Sequence, residues 1–108
     1  MMIEKLAFVS IVVKDQDEAL AFYTEKLGFH KVRDFKGPIR FLTVAPKEGK
    51  ETEILLQLPD AKAFGEERAA ELQDQIGKTS WIFNVDDTKK TVEELREKGV
   101  EIVQEPKI

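Results

Sequence analysis

Few residues in this sequence can do chemistry, and most of those are neutral. There is one histidine, His30, and there are no cysteines. Disulfides and thiolate metal sites are thereby excluded. His30 opens a strand-like run and has no partner at ligand spacing, so it reads as a partly exposed strand histidine. A Ser-His-Asp arrangement needs an imidazole beside its serine, and Ser10 has no base nearby in sequence. The carboxylate pairs Glu51/Glu53, Asp86/Asp87 and Glu93/Glu94 read as residues of turns, helix caps or helix surfaces, where capping or solvation accounts for them. What remains is a set of neutral polar groups on strand-like runs, Ser10, Gln57, Ser80 and Asn84, with Arg40 as a strand cation. No residue is assigned a catalytic role.

The elements that carry these side chains can be traced along the chain. Residues 3–13 are rich in β-branched and apolar residues and predict a strand, with Val9, Ile11 and Val13 on one face and Phe8, Ser10 and Val12 on the other. Asp15 is an N-cap, with Glu18 three residues on. The stripe Ala19, Leu20, Tyr23 and Leu27 predicts a helix that Gly28 ends. Strands are expected at 29–35, 39–45 and 53–58, separated by Gly37-Pro38 and a polar turn at 47–52. Residues 59–78 form a connector in which EERAAELQDQ predicts a short surface helix. Then the pattern restarts. A strand at 79–85 puts Trp81, Phe83 and Val85 on one face and Ser80, Ile82 and Asn84 on the other. Asp86-Asp87 supply a cap, 88–98 a helix with Val92 and Leu95 inward, Gly99 a stop, and 100–104 a strand.

The two stretches overlay. Val13 falls on Val85, Leu20 on Val92 and Tyr23 on Leu95, while Gly28 falls on Gly99 after a one-residue slip. Two copies suggest paired modules, since a solenoid needs at least three. The expected organisation is one domain over 1–108, with module one at 1–58, the connector at 59–78 and module two at 79–108. Composition is that of an ordinary globular domain, 42% hydrophobic and 35% charged. The net charge of −4 carries no nucleic-acid footprint and mildly favours cationic ligands. No apolar run reaches membrane-spanning length, and the N-terminus lacks the pattern of a signal peptide. A cytoplasmic location, with no nucleic-acid or membrane partner, is expected by default.

The motifs "VKD", "EALAFYTEKLGF", "RFLTVAP", "EILLQLP", "WIFNVDD" and "VEELREKGVEIVQEP", in that order, resemble the glyoxalase / bleomycin-resistance / extradiol dioxygenase superfamily, the vicinal oxygen chelate proteins. The resemblance covers nearly the whole chain. It implies an α+β fold of paired βαβββ modules, whose curved mixed sheet bears helices on its outer face and encloses a concave cleft. By similarity, Val9, Ile11, Val13, Trp81, Phe83 and Val85 would pack under helices. The cleft would be lined by Phe8, Ser10, Val12, Leu55, Gln57, Ser80, Ile82 and Asn84, and Arg40 could enter it to pair with an acidic ligand.

The family's enzymes hold a divalent metal in that cleft through ligands on the first and last strands of each module. Carried over residue by residue, the first position falls on Phe8, which has no donor atom. The second falls on Gln57, a weak amide donor, and the third on Ser80, a poor neutral one; the fourth would lie beyond Ile108. No metal site and no cofactor are therefore expected. The resemblance also implies three strands after the second helix, where one is seen. A further segment, a fragment, or a shortened member that covers its strand edge by association would each explain this, and the first is preferred.

The expected function is metal-free binding of a small molecule, cationic or aromatic, in the cleft of a homodimer, as in the bleomycin-resistance members. The alternative is a divalent-metal-dependent glyoxalase-like lyase or dioxygenase whose ligands are completed by further chain. A purely structural or interaction module is the third.

Overall fold

The computed structural model describes residues 2–46, 52–78, 83 and 85–103. Strand β1 (Phe8–Val12) starts five residues later than the sequence suggests. It leads through Asp15 into α1 (Gln16–Ala21), whose entry is fixed by the Asp15 carboxylate accepting the Glu18 N–H at 3.0 Å. The helix runs on into a wide π turn, Phe22–Lys26. There the Leu27 N–H reaches back to the Phe22 carbonyl at 3.3 Å, and the Thr24 hydroxyl donates to the Leu20 carbonyl at 2.8 Å. Gly28, at φ 73°, turns the chain into β2 (His30–Lys36). Strands β3 (Arg40–Ala45) and β4 (Glu53–Gln57) follow.

The four strands form one mixed sheet in the order β1-β4-β3-β2. β1 and β4 are parallel, and the other neighbours are antiparallel. This is the βαβββ arrangement of an α+β fold, with the crossover helix laid over one face. That face carries the core: Leu42 and Val44 of β3 and Ile54 and Leu56 of β4 pack with Tyr23, and Val9, Ile11, Val13, Leu20 and Phe29 close around them. Each fully buried aliphatic side chain contributes about 1.5–3 kcal/mol relative to an exposed one. Burial also pushes the Tyr23 phenol above its ordinary pKa.

The connector contains two helices. α2 (Ala61–Phe64) is capped by Asp60, which accepts the Lys62 N–H at 2.8 Å. Gly65, at φ 82° and ψ 161°, is the joint to α3 (Glu66–Asp74), which buries Ala69 and Leu72. α2 was not foreseen: a four-residue helix is too short to leave a periodic pattern.

Further on, α4 (Thr88–Glu97) repeats the first helix's entry. Of the two acidic candidates the structure selects Asp87, which accepts the Lys90 N–H at 3.0 Å with φ/ψ of −145°/106°, against −148°/118° at Asp15. The exit is a Schellman motif, with Gly99 N–H to Arg96 and Val100 N–H to Leu95, both at 3.0 Å. Thirteen positions separate Asp15 from Gly28 and twelve separate Asp87 from Gly99. The π turn absorbs the difference, since a helix widened by one turn accommodates one more residue between the same cap and stop. The Lys26 ammonium donates to the Lys98 carbonyl, tying the two helix ends together.

Two expectations on the later chain meet the structure differently. Residues 100–103 form no strand. Phe83 and Val85, expected under helices, are 42% and 45% exposed, and no described strand pairs with them. Phe83 packs edge-on against Phe29 instead, with ring centroids 5.3 Å apart.

Candidate functional site

Alternation along the strands fixes what faces away from the core. With Leu42, Val44, Ile54 and Leu56 turned to the helices, the opposite, open face takes Phe41, Thr43, Leu55, Gln57, Phe8 and Ser10. In register, Arg33 of β2 lies beside Thr43, Thr43 beside Leu55, and Leu55 beside Ser10. Phe8 is paired with Glu53. The face is not bare, because Val12, Thr43, Ala45 and Glu53 are buried on it.

Glu53 is the main correction to the sequence reading. The strand was expected from residue 53, but the Glu51/Glu53 pair was expected to be solvated at a turn or surface, and Glu51 lies outside the described residues. Glu53 does open β4, but it is buried there at 8% exposure. A buried carboxylate must be paired or protonated. The Thr43 hydroxyl donates to it at 2.6 Å, and the Arg33 Nε–H spans both of its oxygens at 3.0 and 3.2 Å. The Arg33 guanidinium carbon sits 5.7 Å from the centre of the Phe8 ring, and the Phe8 and Phe41 rings stand nearly perpendicular with centroids 5.5 Å apart. Arg33, Thr43, Glu53, Phe8 and Phe41 thus form one connected cluster.

Beside it lies a cavity of about 580 Å³. Phe41, Leu55 and Gln57 line it from the sheet, and Ala63 and Phe64 of α2 wall it. Gln16 also borders it, and its side-chain amide donates to the Leu56 carbonyl at 2.9 Å and the Arg40 carbonyl at 3.2 Å. The size falls within the range of small-molecule pockets, about 300–1,000 Å³. Two ionisable groups on its border are already engaged. The Asp60 carboxylate caps α2. Arg40, expected as a candidate partner for an acidic ligand, forks onto Asp34 through Nε and Nη2, both at 2.9 Å, and reaches Asp17 through Nη1 at 2.7 Å. It alternates with Phe41 and so lies with Leu42 on the helix side of the sheet. The Arg40 guanidinium holds the Asp34 carboxyl down at about 2, and Asp34 and Asp17 push Arg40 above its usual value.

The other expected site residues divide as follows. Phe8 and Ser10 are on the exposed part of the open face, and Leu55 and Gln57 are half-buried at the cavity. Ser80, Ile82 and Asn84, together with Trp81, lie outside the described residues. His30 is exposed at the start of β2.

Among the described residues, the donors on the open face do not fit a divalent metal. Phe8 has no donor atom, Ser10 and Gln57 are neutral, and the one carboxylate there, Glu53, is engaged by a guanidinium and a hydroxyl. Among the described residues no three His, Cys, Asp or Glu side chains are grouped to hold a metal ion. Arg33, Phe41, Gln16 and Phe64 were not foreseen as site residues. The signal for Glu53 was present, since it shares the two-residue period of Leu55 and Gln57. For Arg33 it was not, because its partner is two strands away in an order that only the folded sheet reveals.

The fold and this site can be set beside known proteins. Residues 5–107 match the sequence model of the Glyoxalase/Bleomycin resistance protein/Dioxygenase superfamily. The uncharacterised protein YurT of Bacillus subtilis (strain 168) is 42% identical, across 94% of this chain and 80% of its own length. The crystal structure of UcmS2 is 42% identical, with a TM-score of 0.85 over 99% of this chain and 84% of that one. TnmS3, an antibiotic binding protein from Streptomyces sp. CB03234, is 29% identical, with a TM-score of 0.73 over 94% of this chain and 75% of that one. By motif order, sheet topology and these likenesses, the chain belongs to the glyoxalase/bleomycin resistance protein/dioxygenase superfamily.

Proposed function

We propose that this protein binds a small molecule on the open face of its sheet without a metal ion and without catalysis. The observation that carries this is the cavity of about 580 Å³ with Phe41, Leu55 and Phe64 as apolar walls. Gln16 and Gln57 supply a few neutral polar groups. Apolar walls with a small number of placed polar groups are the usual make-up of a ligand pocket. The aromatic rings of Phe8, Phe41 and Phe64 favour a flat, aromatic ligand. Phe8, Ser10, Leu55, Gln57, Ser80, Ile82 and Asn84 are the proposed contacts, with a second copy of the chain completing a homodimer. The similarity to TnmS3, an antibiotic binding protein, supports a binding role and leaves the ligand's identity open.

A thermal-shift screen of planar aromatic compounds in EDTA tests this, followed by titration of the hits. We expect stoichiometric binding in EDTA that Leu55→Arg weakens at least about tenfold by placing a charge in the apolar cavity. Tight, stoichiometric uptake of Ni, Zn, Mn or Fe, with ligand binding only in its presence, would favour the metal-dependent enzyme instead.

A further inference from the structure

The chain carries a net charge of −4, which at long range favours cations. On the open face the more exposed charge is a cation. Its acid, Glu53, is the inner partner of an ion pair, with its side chain 10% exposed, whereas Arg33 is the outer partner at 45%. An approaching group meets the guanidinium first. Arg33 bonds Glu53 through its Nε–H, and among the described residues its two Nη groups make no hydrogen bond. Those groups carry four N–H donors in a rigid plane, the geometry that receives a carboxylate or phosphate through two parallel bonds.

The guanidinium is also held in place. The Glu53 carboxylate anchors its Nε, the Thr43 hydroxyl anchors Glu53, and the Phe8 ring lies beneath the guanidinium carbon. An arginine whose position is set in advance loses less side-chain entropy on binding. Its place matters as well. Arg33 sits on Phe8, Phe8 touches Phe41, and Phe41 lines the cavity, so the Arg33 plane stands two rings from the pocket wall, on the same open face of the sheet.

The geometry points to Arg33 as a specificity-determining residue that receives an anionic group, a carboxylate or its equivalent, on an aromatic ligand bound in the cavity. This rests on the binding function proposed above and narrows its ligand class to aromatic acids.

Two probes with the same ring system and similar size test it, 2-naphthoate and 2-naphthylmethanol, titrated calorimetrically into the full chain at pH 7 and low salt. Wild-type protein is expected to bind the acid about tenfold more tightly than the alcohol, the usual effect of a charge-assisted fork. Added salt should shrink that ratio, because the Arg33 side chain is partly exposed. The paired variant Arg33→Gln/Glu53→Gln removes the guanidinium without stranding a buried charge and should bring the ratio to about one. Equal affinity of the two probes for wild-type protein overturns this inference alone, as does a preference for the acid that survives in the paired variant. Failure of both probes to bind overturns the inference together with the pocket on which it rests.

Discussion

Arg40 grips Asp34 through two nitrogens, and this grip determines how the protein responds to acid. The Asp34 carboxyl titrates at about 2 when folded, against 3.8 ordinarily. A depressed folded value stabilises the protein above the unfolded value, and that contribution is lost as pH falls through the folded one. The urea midpoint should therefore decline between pH 3.8 and about 2, and Asp34→Asn should flatten the decline. An unchanged slope in that variant would show that other groups govern the acid response. Gln16 makes a second residue-scale case. It is 8% exposed, and its amide donates to the Arg40 and Leu56 carbonyls across α1 and the sheet. Gln16→Leu keeps the volume but leaves the buried Leu56 carbonyl without its donor, so equilibrium urea unfolding should register a loss of about 1–3 kcal/mol. A loss below a few tenths would mean that water replaces the amide.

At the scale of the elements, α1 and α4 are entered in the same way. Each has an aspartate in extended backbone whose carboxylate accepts the N–H three residues on, at 3.0 Å. Asp15→Ala and Asp87→Ala should each cost about 1 kcal/mol in urea unfolding. A clear inequality between them would show that the two helices are not equally coupled to the folded core. These entries were legible in the sequence because caps and glycine stops are local: Asp15, Gly28, Asp87 and Gly99 act within a few residues of themselves. Strands β3 and β4 were legible too, through apolar runs bounded by prolines. The π turn showed only as a one-residue slip between the repeats. Helix α2 showed not at all, although it walls the cavity. The site itself was half readable. Leu55 and Gln57 follow from alternation along one strand. Arg33 on Glu53 and Phe8 on Phe41 are contacts between residues distant in sequence, set by the strand order β1-β4-β3-β2, and no local pattern encodes them.

For the whole molecule, the division of labour lies between the two faces of one sheet. The helix side spends its apolar residues on packing, with Leu42, Val44 and Leu56 wholly buried. Among the described residues, the open side carries rings, neutral amides and one carboxylate already paired with a guanidinium, the make-up on which the proposed metal-free binding rests. Here Phe8 and Ser10 stand on the first strand, and Glu53 is engaged by Arg33. The most direct measurement is a calorimetric titration of EDTA-stripped protein with a planar aromatic hit, wild type beside Leu55→Arg. Binding of one ligand per chain that needs no metal, and that is lost in Leu55→Arg, is the expected result. Binding that returns only when a divalent metal is added, or that ignores Leu55→Arg, would contradict it.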